Sequence, residues 1–336
     1  MESDVGDSNR AASLWSFIWE LRIIIALVAI CVALSIASPY FLLEKNLINV
    51  LRQVSVNGLL SIGMTFIILT GGIDLSVGSI LAFGGVAAAS FVSAAYKDVP
   101  SVSPLLAIAI GLSAGVFLGA VNGLVISKIR VTPFIMTLGM LSIARGLTFI
   151  YTNGMPVTDL DKDFLWFGQG WFGFDFWIFN LGLPVPVIVF ITAFVIAWVV
   201  LYHTKFGRYV YAVGGNARSA RISGINVGFI IFMVYVISGF LCALGGVLLT
   251  ARTSAGLPQA GAAYELDAIA AVVIGGTSMT GGKGSLLGTL MGVLIIGVIN
   301  NGLDLLSVSS YYQQVVKGLI IAGAVMLDYF QADSDR

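Results

Sequence analysis

Residues 203–227 read HTKFGRYVYAVGGNARSARISGINV. On either side stands an apolar run long enough to cross a bilayer, one ending at Tyr202 and the other resuming at Gly228. Between them fall Lys205, Arg208, Arg218 and Arg221, with no acidic residue. Basic residues in a loop between two spans hold it on the cytoplasmic side. The stretch is also patterned: apolar residues and alanines alternate with glycines and arginines, as in a short helix framed by turns. Two readings stand, a retention signal with no partner or a docking element lying on the cytoplasmic face.

The rest of the composition fits a chain that lives in lipid. Charged residues make up 10% and hydrophobic residues 58% of the 336 residues, and the mean hydropathy is +0.99. A soluble domain carries about 25% charged residues. The expected class is an all-α integral membrane protein. The apolar runs are continuous rather than alternating with period two, which argues against a β-barrel. Forty glycines agree, because glycine is more frequent in membrane helices than in soluble ones. The formal net charge is zero, so nothing in the composition points to nucleic acid. Cys31 and Cys242 both sit in apolar runs and read as small buried residues. His203 is the one histidine, so no histidine-based metal site or triad can be built.

Ten spans are expected, at about 22–38, 53–70, 74–95, 104–127, 131–150, 184–202, 228–250, 266–281, 284–303 and 311–330. The eighth is short and ends in glycines, as a half-helix or re-entrant segment would. The first is a retained span, because the acidic residues Glu2, Asp4 and Asp7 ahead of it do not suit a cleaved signal peptide. The chain then divides into an N-terminal cytoplasmic or interfacial segment 1–21, one transmembrane domain 22–330 holding the loop 203–227, and a cytoplasmic tail 331–336. Trp15, Phe17, Ile18 and Trp19 suit an interfacial lead-in. With both termini inside, the inner segments hold Arg10, Arg22, Lys128, Arg130, Lys205, Arg208, Arg218, Arg221, Lys283 and Arg336. The outer loops hold only Lys45, Arg52, Lys97, Lys162 and Arg252, and Arg145 and Lys317 fall within spans. This asymmetry favours cytoplasmic termini. The outer segment 151–183 is acidic and aromatic, able to rest on the interface or to receive an extracytoplasmic partner.

Two glycine ladders recur every four residues. One is Gly111, Gly115, Gly119 and Gly123; the other is Gly284, Gly288 and Gly292. This spacing puts them on one helix face, where a neighbouring backbone can approach closely. They lie five spans apart, and an odd offset points to an inverted repeat of spans 2–5 and 7–10. Chance spacing in a glycine-rich chain explains the ladders equally well.

Polar residues are few enough to weigh singly. In Leu69-Thr70-Gly71-Gly72-Ile73-Asp74-Leu75-Ser76-Val77-Gly78-Ser79, a carboxylate stands between two apolar helices. Asp74 either caps the following helix or lines a polar path through the membrane, since ionisable residues at that depth usually face a cavity. Asn57, Thr65, Gly72 and Ser76 would share such a path. Glu265 and Asp267 open the eighth span, where acidic residues suit the helix dipole. Gly275 to Ser285 resembles a phosphate loop but fails it: Thr277 stands where a glycine is needed and Gly284 where a Ser or Thr must follow Lys283. The chain therefore carries no evident ATP site. Nor does it pair a nucleophile with a base, so it is not expected to be an enzyme.

Four blocks together carry a resemblance: Ile68 to Ser79, Gly207 to Asn216, Tyr264 to Gly276, and Asn300-Asn301-Gly302-Leu303. The chain resembles the sugar-permease subunits of bacterial ATP-binding-cassette importers, in the ribose/galactose/xylose branch. It is nearest to the ribose-importing members through Tyr151-Thr152-Asn153-Gly154 and Ser309-Ser310-Tyr311-Tyr312-Gln313. The resemblance implies a homodimer of permeases in the lipid of the membrane, driven by a separate cytoplasmic ATPase and fed with a monosaccharide by a periplasmic or lipid-anchored binding protein. No cofactor is implied in this chain; ATP and magnesium belong to the partner ATPase. The block around 207–224 becomes the ATPase-coupling element, with Gly207, Arg208, Gly214, Gly215, Asn216, Arg218, Ala220, Arg221 and Gly224 as its residues. The competing reading is a secondary sugar transporter coupled to an ion gradient, for which Asp74 is the main candidate coupling group.

Overall fold

The structure is a computed structural model that describes residues 23–96, 100–176 and 179–334. The N-terminal lead-in around Trp15 and Trp19 and the last residues of the tail lie outside the described residues. All ten expected apolar segments are helical. They are α1 (Ile23–Ala37), α2 (Glu44–Leu69), α3 (Val77–Ser90), α4 (Pro104–Leu124), α5 (Pro133–Thr152), α7 (Val185–His203), α10 (Val227–Thr253), α11 (Tyr264–Ile274), α12 (Leu286–Leu305) and α13 (Ser310–Ser334). Between them come α6 (Lys162–Gln169), the hairpin β1 (Trp171–Phe176) and β2 (Phe179–Pro184), and the short helices α8 (Lys205–Gly215) and α9 (Ala217–Ile222).

Local chemistry sets most of the boundaries. Proline stands in the first turn of α4, α5 and α7, where its missing N–H costs nothing. Asn153 and Gly154 end α5 with φ of 51° and 74°, and α4 runs through a π turn (Val125–Ile129) to Arg130 at φ 62°.

Among the described residues, six helices are long and apolar enough to cross a membrane alone: α2, α4 with its π turn, α5, α7, α10 and α12. The expected full span at 74–95 is instead a half-length helix, and the segment at 266–281 is the half-helix its glycine-ended sequence suggested. Gly71, at φ 78°, breaks the chain after α2, and residues 72–76 run without helix before α3 begins. The segment between α10 and α11 behaves likewise. α2 starts nine residues earlier than expected, so Lys45 and Arg52 ride on the helix rather than in a loop; Arg52 lies over the Trp171 ring at 5.1 Å.

α10 is the central post, packed against α2, α3 and α4. The last sixteen residues of α2 are almost wholly buried, whereas α4 and α5 turn residues such as Leu105, Phe117, Ile135 and Ile150 outward. Apolar residues exposed on that scale suit lipid, not water. The helix directions follow from contacts at the two ends. At one end the C-terminus of α2 meets α8 and the loop before α12. At the other, α6 meets the C-terminus of α10 and residues 92–94 pair near Asp159 and Leu160.

Traced this way, α2–α5 and α10–α13 run in opposite senses element by element. α3 packs on α4 and α5 as α11 packs on α12 and α13, and α10 and α2 take equivalent places against the other half. This is the inverted arrangement of spans 2–5 and 7–10. The two half-helices begin beside each other at mid-depth: a Cβ on Gly78 would run into Gly261, and one on Gly261 would lie 2.6 Å from the Gly78 carbonyl oxygen.

Candidate functional site

The surface loop is two helices, not one. Thr204 caps α8 by accepting from the Gly207 N–H, and Asn216 caps α9 by accepting from the N–H groups of Arg218 and Ser219 at 3.0 and 2.9 Å. Gly207, Val210 and Val213 bury one stripe of α8. Gly207 lies against the backbone of Leu201, and Gly214 against the Leu69 carbonyl and the Gly282 N–H. Gly224 holds φ 83° and needs glycine for that reason. Gly215 needs it for neither reason, since a Cβ there meets nothing within 4 Å.

The loop that failed as a phosphate binder is the seat of α8. The Gly282 N–H donates to the Leu69 carbonyl at 2.9 Å, and the Tyr211 hydroxyl donates to the Gly284 carbonyl at 2.9 Å. Burial, with Tyr202 adding to it, raises the Tyr211 phenol above its ordinary range, so it remains a donor. Gly276, Gly281, Gly282 and Gly284 all have positive φ there. Among the residues that α8 and α9 leave exposed are Lys205, Arg208, Asn216, Arg218, Arg221 and Ile222, while Ala220 is buried beneath. Ile222 is 81% exposed and was not singled out from sequence. An apolar side chain at the tip of a basic knob is legible only once α9 is known to stand clear of the bundle.

Each half-helix carries a buried carboxylate near its start. Asp74 accepts from the Ser76 N–H at 2.8 Å and its hydroxyl at 2.5 Å, and Asn122 of α4 donates to the same hydroxyl at 3.0 Å. Tyr235 of α10 and Thr137 of α5 both donate to the Ile73 carbonyl, and Gly72 leaves room for the Tyr235 hydroxyl. In the other half, Asp267 accepts from Asn300 of α12 at 3.2 Å and from Lys317 of α13 at 2.9 Å. The sequences match on this frame. Asp74-Leu75-Ser76 precedes Gly84-Gly85 as Glu265-Leu266-Asp267 precedes Gly275-Gly276, with the same spacing. The sequence match behind the inverted repeat is hard to see along the chain because Ser76 answers to Asp267, and Lys317 gives that second carboxylate a cation.

Asp74, Ser76, Asn57 and Thr65 are all buried. Thr65 shares a hydrogen bond with Thr289 at 2.8 Å, while the Asn57 amide and one Asp74 oxygen have no protein partner. The capping alternative for Asp74 is therefore not what the structure shows: Asp74 closes the turn ahead of α3 through Ser76, α3 has no side-chain cap, and one Asp74 oxygen is free. Arg145 of α5 donates to the Pro258 and Ala260 carbonyls at 2.6 and 2.8 Å, pinning the re-entrant segment before α11.

The glycine ladders are packing faces. Gly111 meets Gly84, Gly115 and Gly119 meet Gly239, and Gly123 meets Phe232. Gly288 meets Gly275, and Gly292 meets Ala271. Gly284 does not belong to the second ladder: it precedes Ser285, the cap of α12, at φ 153° and packs on Thr277. Among the described residues no group of His, Cys, Asp and Glu is placed to hold a metal ion.

Six apolar membrane-length helices, paired half-helices meeting at mid-depth and an exposed basic knob define a multi-pass membrane permease. The chain belongs to the family described as branched-chain amino acid transport system / permease component, which matches residues 46–325. It is 51% identical over 306 residues to the ribose import permease protein RbsC of Bacillus subtilis (strain 168), covering 90% of this chain and 91% of that one. The Escherichia coli (strain K12) ribose import permease protein RbsC is 48% identical over 325 residues, covering 96% and 97%. The D-allose transport system permease protein AlsC of the same organism is 41% identical over 324 residues, covering 96% and 95%. No solved structure matches the chain.

Proposed function

We propose that this chain is the membrane permease subunit of an ATP-binding-cassette importer that carries a monosaccharide, ribose first among them. The observation that carries this reading is the near full-length likeness to ribose import permeases, at 46–51% identity. The chain works as a homodimer in a bacterial cell membrane, with both termini and the α8–α9 knob in the cytoplasm. A cassette ATPase, which holds ATP and magnesium, docks on the knob through Arg208, Arg218, Arg221 and Ile222. An extracytoplasmic binding protein delivers the sugar at the α6 end.

The geometry supports a mechanical role for the knob. α8 is seated on the C-terminus of α2 and on the glycine loop between α11 and α12. A push on α9 therefore reaches one element of each inverted half. The free Asp74 oxygen and the Asn57 amide are the groups in the bundle best able to meet a hydroxylated solute when the halves separate. The test is uptake of labelled ribose by proteoliposomes holding the permease, its ATPase and its binding protein. Uptake that requires all three and ATP, and that survives a protonophore at fixed ATP, is expected. Uptake by the permease alone, or its loss with the protonophore, would overturn the reading.

A further inference from the structure

α7 packs on α2, α6 and α8 but makes only sparse contact with α10. The gap is a groove of about 580 Å³ lined by residues such as Phe66, Ile188, Thr192, Val200, Val236 and Leu244, and Thr192 is its only polar lining residue. From Ile188 to Val200 the groove follows α7 for roughly 18 Å, at 1.5 Å per residue. That is about one leaflet of a hydrocarbon core about 30 Å thick. Atoms lining an empty gap lose their dispersion partners, and an apolar wall gives water nothing to bond. An acyl chain suits both conditions.

One end of the groove lies at the first turn of α8. Phe66 on the groove wall lies 6.4 Å from the ring of Phe206 in that turn. Lys205, next to Phe206 in the sequence, is exposed. A leaflet-long apolar slot with an exposed cation beside its end complements an anionic phospholipid, whose chain would lie along α7 and whose phosphate would reach Lys205. We propose that this groove is a binding site for one anionic phospholipid, wedged between α7 and α10 at the joint where α7 passes into α8. The site goes beyond the transport reading and does not depend on it.

The test is native mass spectrometry of the purified full chain, offered equal amounts of phosphatidylglycerol and phosphatidylcholine. The wild type should retain one phosphatidylglycerol per chain in several-fold preference. Lys205→Gln should lower that preference at least threefold. Ala193→Trp, which fills the slot, should lose the retained lipid, and Thr192→Trp on the exposed rim is a second filling variant should the first not fold. Equal retention of both lipids by the wild type overturns the proposal, because it describes only the lipid annulus. Undiminished phosphatidylglycerol on a folded filling variant overturns it as well.

Discussion

Gly214 and Gly215 are neighbours with opposite surroundings, and substituting each with alanine separates seat from surface. A Cβ at Gly214 would lie 2.5 Å from the Gly282 nitrogen and 2.9 Å from the Leu69 carbonyl carbon, and closer still to the Leu69 oxygen. Non-bonded heavy atoms sit at about 3.5 Å, so α8 must shift by at least about 1 Å. That movement strains the Gly282–Leu69 and Tyr211–Gly284 hydrogen bonds. Two such bonds are worth about 1 kcal/mol each, and overpacking adds about 1–3 kcal/mol. Gly214→Ala should therefore weaken the docking of α8 by about 3–5 kcal/mol, while Gly215→Ala meets open space and should be close to neutral. The assay is sugar-stimulated ATP hydrolysis by the reconstituted complex, with assembly checked on the same preparation. A displacement of 1 Å in an aligned element costs on the order of tenfold or more in rate. Gly214→Ala should lose stimulation on that scale and Gly215→Ala should keep it. Equal behaviour of the two would refute the claim that α8 transmits through its seat.

Breaking the buried pair should unfold more readily than removing it: Asp267→Asn or Lys317→Met alone should cost about 3–5 kcal/mol, and the double variant should recover part of this in thermal unfolding. Asp74→Asn keeps an oxygen able to accept from the Ser76 N–H, so stability should change by about 1 kcal/mol or less. Its ribose uptake should nevertheless fall, and normal uptake by the folded variant would leave Asp74 a turn-forming residue alone. Ala220→Arg places a charge beneath α9, where 5% of the residue is exposed. It should insert normally and fail to hold the ATPase on co-purification. A reporter at residue 215 should read cytoplasmic and one at 165 periplasmic; the reverse would invert the topology.

Much of this protein was legible without coordinates because lipid imposes a local rule. A bilayer span satisfies its backbone within itself, so composition and run length along 228–250 or 184–202 announce α10 and α7 directly. The cap Asn216 and the turn-forming Asp74 are equally local, since each bonds an N–H two or three residues on. Gly215 and Gly284 show where that logic stops. Both lie in glycine patterns, yet one faces open space and the other ends a loop rather than extending a ladder.

By itself the sequence determined the class, the apolar helical segments and the basic character of the 203–227 surface, because each depends on residues adjacent along the chain. Only the tertiary structure decided that the third span stops halfway and starts against the re-entrant segment of the other half, that the Gly275–Ser285 loop is the seat of α8, and that Lys317 answers Asp267. Each of these depends on contact between distant residues: Gly78 with Gly261, Leu69 with Gly282, and the ion pair across 50 positions. A charge or a glycine in a span looks the same on paper whether it meets lipid, backbone or an opposite charge. Its role is set by the element packed against it, and the inverted stacking of the two halves supplies that element.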